Sequence, residues 1–206
     1  MLISRKKKFV FIHIYKNAGT SISTALIRIT SNKLQRYASK QLKKAGIIYL
    51  KDQPCPTHAT ASEIISTIGE EEFKALFSFA IVRNPWDWQV SLYHYMLQNS
   101  NHPQHKLAQE FKDFEEYLYW RCAKEIRLQK DFVCSQDDKI LVDFIGRFES
   151  LDKDFQTICR RIGISACLPK VNVSNTVPYQ EFYNPNTREL VRSTFEPDIS
   201  LFNYSF

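Results

Sequence analysis

The stretch FVFIHIYKNAGTS, at residues 9–21, decides the fold of this chain. Its first half, residues 9–14, is a nearly continuous run of β-branched and aromatic residues, which is the pattern of a strand buried on both faces of a parallel sheet. A turn that contains Gly19 follows, and Ile22, Leu26 and Ile29 then recur at helical spacing. The stretch therefore predicts a strand, a turn and a helix from residue 21 to about residue 37.

The rest of the chain repeats this alternation. Further strands are predicted at residues 47–50, 77–82 and 140–145, and further helices at residues 60–68, 85–97, 111–128, 152–162 and 187–195. Asn84 and Pro85 mark the start of one helix, as an N-cap followed by proline at the first helical position. Residues 168–186 are rich in Pro, Asn and Ser and are predicted to form a long ordered loop.

Strands that alternate with helices imply a parallel sheet with right-handed crossovers. We therefore expect an α/β fold of three layers, with a central parallel sheet flanked by helices, in a single domain of residues 1–206. In such sheets, ligands bind beyond the carboxyl ends of the strands. Chemistry is expected at the junctions that follow the first three strands.

Composition narrows the class of protein. Hydrophobic residues make up 44% of the chain and charged residues 24%, a balance typical of a globular protein. The apolar runs are far shorter than the ~20 residues that a membrane-spanning helix needs. The basic start lacks the long apolar stretch of a secretory signal. We therefore expect a cytoplasmic protein without a transmembrane segment.

The net charge and the cysteine content indicate which ligands this chain is expected to bind. The formal net charge of +6 favours anionic ligands without identifying them, and no nucleic-acid-binding motif is present. The basic residues 5–8 are expected to be a solvated segment. The five cysteines are widely scattered, which argues against a disulfide framework and against a zinc site. Neither nucleic acid nor a metal is therefore expected as a partner.

The turn after the first strand has the features of a phosphate cradle. N–H groups without helical acceptors and the helix dipole both favour an anion at the start of a helix. Glycine lets the backbone come close to a ligand, the two hydroxyls are donors, and the lysine supplies a mobile positive charge. A plain strand-to-helix turn is the alternative. The predicted phosphate-binding residues are Lys16, Asn17, Ala18, Gly19, Thr20 and Ser21.

The order of residues in this turn differs from a Walker A loop, because the lysine precedes the glycine and no second glycine opens the loop. Residues 13–21, HIYKNAGTS, closely resemble the 5′-phosphosulfate-binding loop of sulfotransferases, commonly written HIPKTAGTS. The chain departs from that motif at Tyr15 and Asn17, which leaves the lysine, the glycine and the hydroxyls in place. The resemblance implies a P-loop-like version of the expected α/β fold.

A second segment, residues 79–91 with the sequence FAIVRNPWDWQVS, looks like the 3′-phosphate-binding segment of the same family. Arg83 ends a predicted buried strand and Ser91 lies two turns along the next helix, so that a guanidinium and a hydroxyl are positioned to hold one phosphate. Taken singly, Arg83 is equally well explained by a structural ion pair, and Ser91 as an ordinary helix serine. The resemblance continues at residues 146–151 and 198–206, but it implies no role for them.

His58 follows the predicted second strand, as does the histidine base of carbohydrate sulfotransferases. The resemblance implies that 3′-phosphoadenosine 5′-phosphosulfate is the co-substrate, that Lys16 stabilises the leaving group, and that His58 takes the proton of an acceptor hydroxyl, without a metal. Capping of the following helix is the alternative role of His58, and Glu63 is the next candidate base. His13 is expected to be a strand residue with its hydrogen bonds satisfied.

Two other functions are compatible with the sequence. One is a nucleotide-binding regulatory protein that has the fold without catalysis, and the other is a P-loop-like kinase. The presence of Lys16 and His58 argues against the first, and the absence of the Walker lysine against the second. The acceptor is expected to be a carbohydrate or a related hydroxyl compound, but the fold does not identify it.

Overall fold

A computed structural model of the chain describes residues 1–30, 54–169 and 177–206. The predicted strand at residues 47–50 and the end of the first predicted helix lie outside the described residues. The chain divides into two compact units, Met1–Ile81 with Phe132–Val171 and Val82–Asp131 with Asn172–Phe206. A single domain stays a prediction.

The first unit is built on a four-stranded sheet within the described ranges. Its strands lie side by side in chain order, as β1 (Leu2–Ser4), β2 (Phe9–Ile12), β3 (Phe77–Val82) and β4 (Phe144–Arg147). Strands β2 and β3 are parallel, with Phe9 opposite Phe77, whereas β1 is antiparallel to β2. The sheet is therefore mixed, and helices flank it, which confirms the α/β fold class.

The helices of the described chain vary widely in length. In chain order they are α1 (Gly19–Thr30), α2 (Ala61–Ile68), α3 (Glu70–Lys74), α4 (Pro85–Gln98), α5 (His105–Glu110), α6 (Phe114–Lys124), α7 (Lys130–Val133), α8 (Leu151–Arg161), α9 (Pro185–Thr194) and α10 (Glu196–Phe202). Short 3-10 helices occupy Phe148–Ser150 and Tyr179–Phe182. No helix in the described part of the chain is long and apolar enough to cross a bilayer.

One face of the sheet forms the core of the first unit with α1 and α8. Alternate strand residues point to the same face, so every second residue of β2 and β3 enters this core. The helices contribute residues at helical spacing, because only one stripe of each helix faces the sheet. The central members are Phe9, Phe11, Phe79, Ile81, Ile22, Leu26, Phe155 and Ile158.

The elements marked by local signals match the sequence prediction closely. Strand β3 is observed at the predicted residues. Helix α4 begins at Pro85, and Asn84 is its N-cap, with a side chain that accepts a hydrogen bond from Trp86 N. Helix α2 stops before Gly69, as predicted, and begins after a capping box of Thr60 and Glu63 that was not predicted. Caps and glycine stops depend on neighbouring residues alone, which is why the sequence reveals them.

Other elements differ from the prediction because of distant contacts. The fourth strand is Phe144–Arg147 and not residues 140–145, since Ile140 makes only an isolated bridge to Cys134. The predicted helix at residues 111–128 is confined to α6, which begins after the Asp113 cap. Strand β1 precedes the basic turn and was not predicted, because three residues acquire strand structure only by pairing with β2.

Candidate functional site

The predicted phosphate cradle, residues 16–21, joins β2 to α1. Its backbone φ is +64° at Lys16 and +58° at Ala18. Such left-handed values cost about 1–3 kcal/mol each at residues other than glycine. Neither the intervening Asn17 nor Gly19 has a positive φ, so the sign alternates along the loop. This alternation is typical of a nest, in which successive N–H groups converge on an anion.

The start of α1 directs further N–H groups out of the helix. The first intrahelical bond runs from Ile22 N to Ala18 O at 3.1 Å, so the N–H groups of Gly19, Thr20 and Ser21 precede the helical ladder. Thr20 is exposed and Ser21 is buried. With Lys16 just before them, these groups form a concave donor set suited to a phosphate or sulfate oxygen.

The side chain of Asn17 attaches the loop to the sheet. It is buried, and its Nδ2 donates to the carbonyl of Ile81 in β3 at 2.9 Å. Asn17 is one of the two departures from the family motif. In this chain it therefore has a structural contact that holds the loop beside the neighbouring strand.

Gly19 is required by a side chain of the protein itself. A Cβ at this position would lie 1.8 Å from His13 Nε2 and 1.9 Å from His13 Cδ2. Close approach of a ligand was the role expected of Gly19 from the sequence. The described contact is with the His13 imidazole, and only a residue without a side chain leaves room for that ring.

His13 directly follows β2 and is held as a neutral imidazole. Burial, together with the nearby His58, lowers the pKa of His13 from 6.5 to about 3. Its ring stacks on Phe11 at 5.7 Å between centroids. Because the unfolded chain binds the proton near pH 6.5, the stability that His13 contributes is complete above that pH and is lost as the pH falls toward 3.

His58 contacts the residues just before the predicted phosphate cradle. Its Nδ1 is 2.9 Å from the carbonyl oxygen of His13, and the two imidazole centroids are 4.6 Å apart. A carbonyl only accepts hydrogen bonds, so Nδ1 carries the proton, and a neutral ring then has its lone pair on Nε2. The residue is exposed. This tautomer and this exposure are those of a general base.

The alternative roles in this region are taken by other residues. Thr60 caps α2, with its Oγ1 accepting from Glu63 N at 3.1 Å. The Glu63 carboxylate in turn accepts from Thr60 N at 2.8 Å. The helix is therefore capped without His58, and the carboxylate of Glu63 serves the capping box.

Tyr15, the second departure from the family motif, lies beside the histidine. Its ring meets the ring of His58 edge-on at 6.1 Å and that of Phe132 at 6.0 Å. Edge-to-face contacts of this kind restrict the orientation of both rings. Tyr15 therefore helps to hold His58, a role that its position next to Lys16 in the sequence did not reveal.

Arg83 and Ser91 belong to the second unit, where Arg83 lies just before α4 and Ser91 lies in it. The Arg83 guanidinium donates from Nε and Nη2 to the two carboxylate oxygens of Asp87, at 2.7 and 2.8 Å. Asp87 and Ser91 are four apart in α4, so they are neighbours on the helix surface, about 5–6 Å apart at Cβ. Asp87 thus holds the guanidinium one turn before Ser91.

A structural ion pair was the alternative to phosphate binding at Arg83. The ion pair is present, with the Arg83 side chain 6% and the Asp87 side chain 23% exposed. The two roles are compatible, because a carboxylate that engages the Nε edge fixes the plane of the guanidinium. Asp87 was missed as a site residue, although its spacing of four from Arg83 was a visible signal.

The described side chains provide no metal centre. Within residues 1–30, 54–169 and 177–206, no three His, Cys, Asp or Glu side chains are placed to hold a metal ion.

One family profile and one solved structure are similar to this chain. The profile described as "Sulfotransferase family" matches residues 1–205. The crystal structure of mouse sulfotransferase SULT7A1 complexed with PAP is similar, with a TM-score of 0.58 and 15% sequence identity. The alignment covers 98% of this chain and 90% of the mouse chain, and at this identity it shows a common fold. No curated protein sequence gives a significant match.

Replacement of Gly19 by alanine is expected to lower the free energy of unfolding by about 1–3 kcal/mol, the usual cost of overpacking. The new Cβ occupies the place of the His13 ring, which must then leave its contacts with Phe11 and His58. Urea denaturation of the wild type, Gly19→Ala, His13→Ala and the double variant measures the effect.

The His13→Ala background is the matched control, because it removes the ring and keeps the loop backbone. There the added methyl group should cost nothing, or stabilise α1 slightly through the higher helix propensity of alanine. If the losses of unfolding free energy in Gly19→Ala and His13→Ala simply add in the double variant, the His13 ring is not what excludes a side chain at residue 19. The role assigned to Gly19 would then be wrong.

Proposed function

Because the chain belongs to the sulfotransferase family, we propose that it transfers a sulfuryl group from 3′-phosphoadenosine 5′-phosphosulfate to an acceptor hydroxyl. The observation that carries this proposal is the contact of His58 with the carbonyl of His13, three residues before the strained turn that begins at Lys16. A donor set for an anion and an imidazole that can accept a proton thus belong to one unit and are joined by residues 13–15. Transfer to a hydroxyl needs both.

The loop supplies the groups for the 5′ end of the donor. The N–H groups that open α1 and the hydroxyls of Thr20 and Ser21 face the phosphosulfate, and the Lys16 ammonium lies near the oxygen that bridges phosphorus and sulfur. Negative charge grows on that oxygen as its bond to sulfur breaks. Lys16 is therefore assigned to stabilise the leaving group, 3′,5′-bisphosphoadenosine.

The 3′-phosphate is assigned to Arg83 and Ser91. The support is the position of Asp87, which orients the Arg83 guanidinium and lies one helical turn before Ser91 in α4. An arginine held in this way recognises a phosphate through charge-assisted hydrogen bonds, each worth about 1.5–3 kcal/mol. Ser91 adds a hydroxyl donor.

His58 is assigned as the general base. Nδ1–H donates to the His13 carbonyl, so Nε2 takes the proton of the acceptor hydroxyl as its oxygen attacks sulfur. A new oxygen–sulfur bond forms while the bond from sulfur to the bridging oxygen breaks. Neutral His13 supports this step, since a second positive charge beside His58 would oppose protonation.

The acceptor that we propose is a carbohydrate or a related molecule with an exposed hydroxyl. The support is the position of the histidine base, which resembles that of carbohydrate sulfotransferases. A hydroxyl of this kind reaches the exposed His58 without entering the core.

We expect 3′,5′-bisphosphoadenosine to raise the melting temperature far more than adenosine 5′-monophosphate, because only the first nucleotide carries a 3′-phosphate. Arg83→Ala should weaken binding of the bisphosphate by about tenfold or more, the loss of one charge-assisted bond, and remove the difference between the nucleotides. Heat scans with each nucleotide measure both effects.

Arg192→Ala is the matched control for Arg83→Ala. Arg192 lies in the same unit and also donates from Nε and Nη2 to a carboxylate, that of Glu189. This variant should keep the full preference for the bisphosphate. Equal stabilisation of the wild type by both nucleotides would refute the 3′-phosphate assignment.

Lys16→Ala should reduce turnover by about 10²-fold or more, the usual loss when a donor to a developing negative charge is removed, and leave most of the nucleotide affinity. Lys16→Arg should also be slow, since a planar guanidinium does not replace a compact ammonium. Transfer of labelled sulfate is measured against Lys6→Ala, which removes an exposed lysine of the same unit. Near wild-type turnover in Lys16→Ala would contradict the role.

His58→Gln should slow transfer by roughly 10²–10⁴ at saturating donor, without weakening donor binding. The wild-type rate should rise with pH as the base loses its proton, and this limb should vanish in the variant. Turnover is compared from about pH 5 to about pH 9.

Glu63→Gln serves as the control for the pH profile, because Glu63 was the competing candidate base. Its amide oxygen can still accept from Thr60 N in the capping box, so the variant should keep its stability, its turnover and the rising limb. If Glu63→Gln loses the rising limb of the pH–rate profile while His58→Gln keeps it, Glu63 is the base and the assignment of His58 is wrong.

A further inference from the structure

The side chain of Gln129 brackets the backbone of Arg83. Its Oε1 accepts from Arg83 N at 2.9 Å, and its Nε2 donates to Arg83 O at 2.8 Å. One amide thus satisfies both main-chain polar groups of the residue that follows β3, in the way that a neighbouring strand would. Gln129 is fully buried.

The main chain at Gln129 is held in turn by Asp198 of α10. The two carboxylate oxygens accept from Gln129 N and from Lys130 N, both at 2.8 Å. Asp198 is fully buried as well. A buried carboxylate is costly unless its hydrogen bonds are satisfied, so this contact defines a single position for the segment that carries Gln129.

Burial raises the pKa of Asp198 from 3.8 to about 6, and the two backbone hydrogen bonds oppose this shift. The carboxylate is therefore ionised near neutral pH, the form that accepts two N–H donors at once. Its ionisation in the folded protein is unfavourable compared with the unfolded chain. This unfavourable ionisation occurs at Asp198, which is linked to Arg83 through the hydrogen bonds of Gln129.

We infer that Gln129 and Asp198 are positioning residues for the contact of Arg83 with the 3′-phosphate, an inference that rests on the proposed function. Asp198 holds Gln129, Gln129 holds the Arg83 backbone, and Asp87 holds the Arg83 guanidinium. Both ends of the arginine are thereby fixed before the nucleotide binds. Such preorganisation raises affinity, because less freedom is lost on binding.

The selectivity for a 3′-phosphate distinguishes positioning from simple stabilisation. A residue that only stabilises the fold changes the melting temperature and affects both nucleotides alike. Loss of a residue that positions Arg83 lowers the affinity for 3′,5′-bisphosphoadenosine. The affinity for adenosine 5′-monophosphate stays unchanged, since this nucleotide makes no contact at the 3′ position.

The experiment measures the affinity of both nucleotides by titration calorimetry in the full chain. Gln129→Met and Asp198→Asn should each lower the affinity ratio of bisphosphate to monophosphate by about tenfold, the equivalent of one good hydrogen bond. Asp198→Asn, which keeps the size of the side chain and one acceptor oxygen, covers the case in which Gln129→Met does not fold.

Gln89→Met is the matched control. Gln89 is an equally buried glutamine of the same unit, and its Oε1 accepts from Tyr117 Oη and Arg121 Nε, away from Arg83. This variant should lose stability and keep the affinity ratio. In an Arg83→Ala background, Gln129→Met should have no further effect on the ratio, since it acts through that arginine.

The results separate the two proposals. If the wild type shows no preference for the bisphosphate, the proposed function fails. If the preference exists and Arg83→Ala abolishes it, while the Gln129 and Asp198 variants keep it, the function stands and the positioning role is refuted. A loss of the ratio in Gln89→Met as large as in Gln129→Met would equally refute the positioning role.

Discussion

The imidazole of His13 occupies the space where a side chain of residue 19 would lie, and the first unit depends on this contact. The ring needs glycine at the start of α1, so the loop passes directly over it. Burial in that position keeps His13 neutral. Its carbonyl then accepts from His58, which brings an exposed imidazole to the loop. One steric constraint thus links the sheet, the loop and the proposed base.

The loop itself is strained, and the strain is held by its surroundings. Two non-glycine residues, Lys16 and Ala18, adopt left-handed backbone. The buried side chain of Asn17 between them bonds to Ile81 of β3, and Tyr15 packs on Phe132. These contacts offset the cost of the backbone, so that the N–H groups at the start of α1 keep an arrangement suited to an anion.

The second unit holds Arg83 by contacts that are distant in sequence. Asp198 is 69 residues from the Gln129 amide to which it bonds, and Gln129 is 46 residues from Arg83. The neighbouring Asn84 donates to the carbonyl of Ser205 at 2.7 Å and to Tyr179 Oη at 3.2 Å. The C-terminal residues of the chain therefore support the start of α4. This contact gives a structural role to residues 198–206, for which the resemblance to the family implied none.

The sequence alone determined whatever depends on near neighbours. Strand β3, the Asn84 cap with Pro85, and the end of α2 at Gly69 follow from a hydrophobic run and from residues close in sequence. The motif around Lys16 was enough to predict the family, which the profile match over residues 1–205 confirms.

Tertiary structure decided the partners of these residues. Three contacts follow from which surfaces meet: β1 pairs with β2, Gly19 faces His13, and Gln129 and Asp198 hold Arg83. Sequence spacing carries no information on contacts between segments tens of residues apart. Such contacts form only when burial of the apolar faces brings the segments together, and the polar groups enclosed in the process must then find partners.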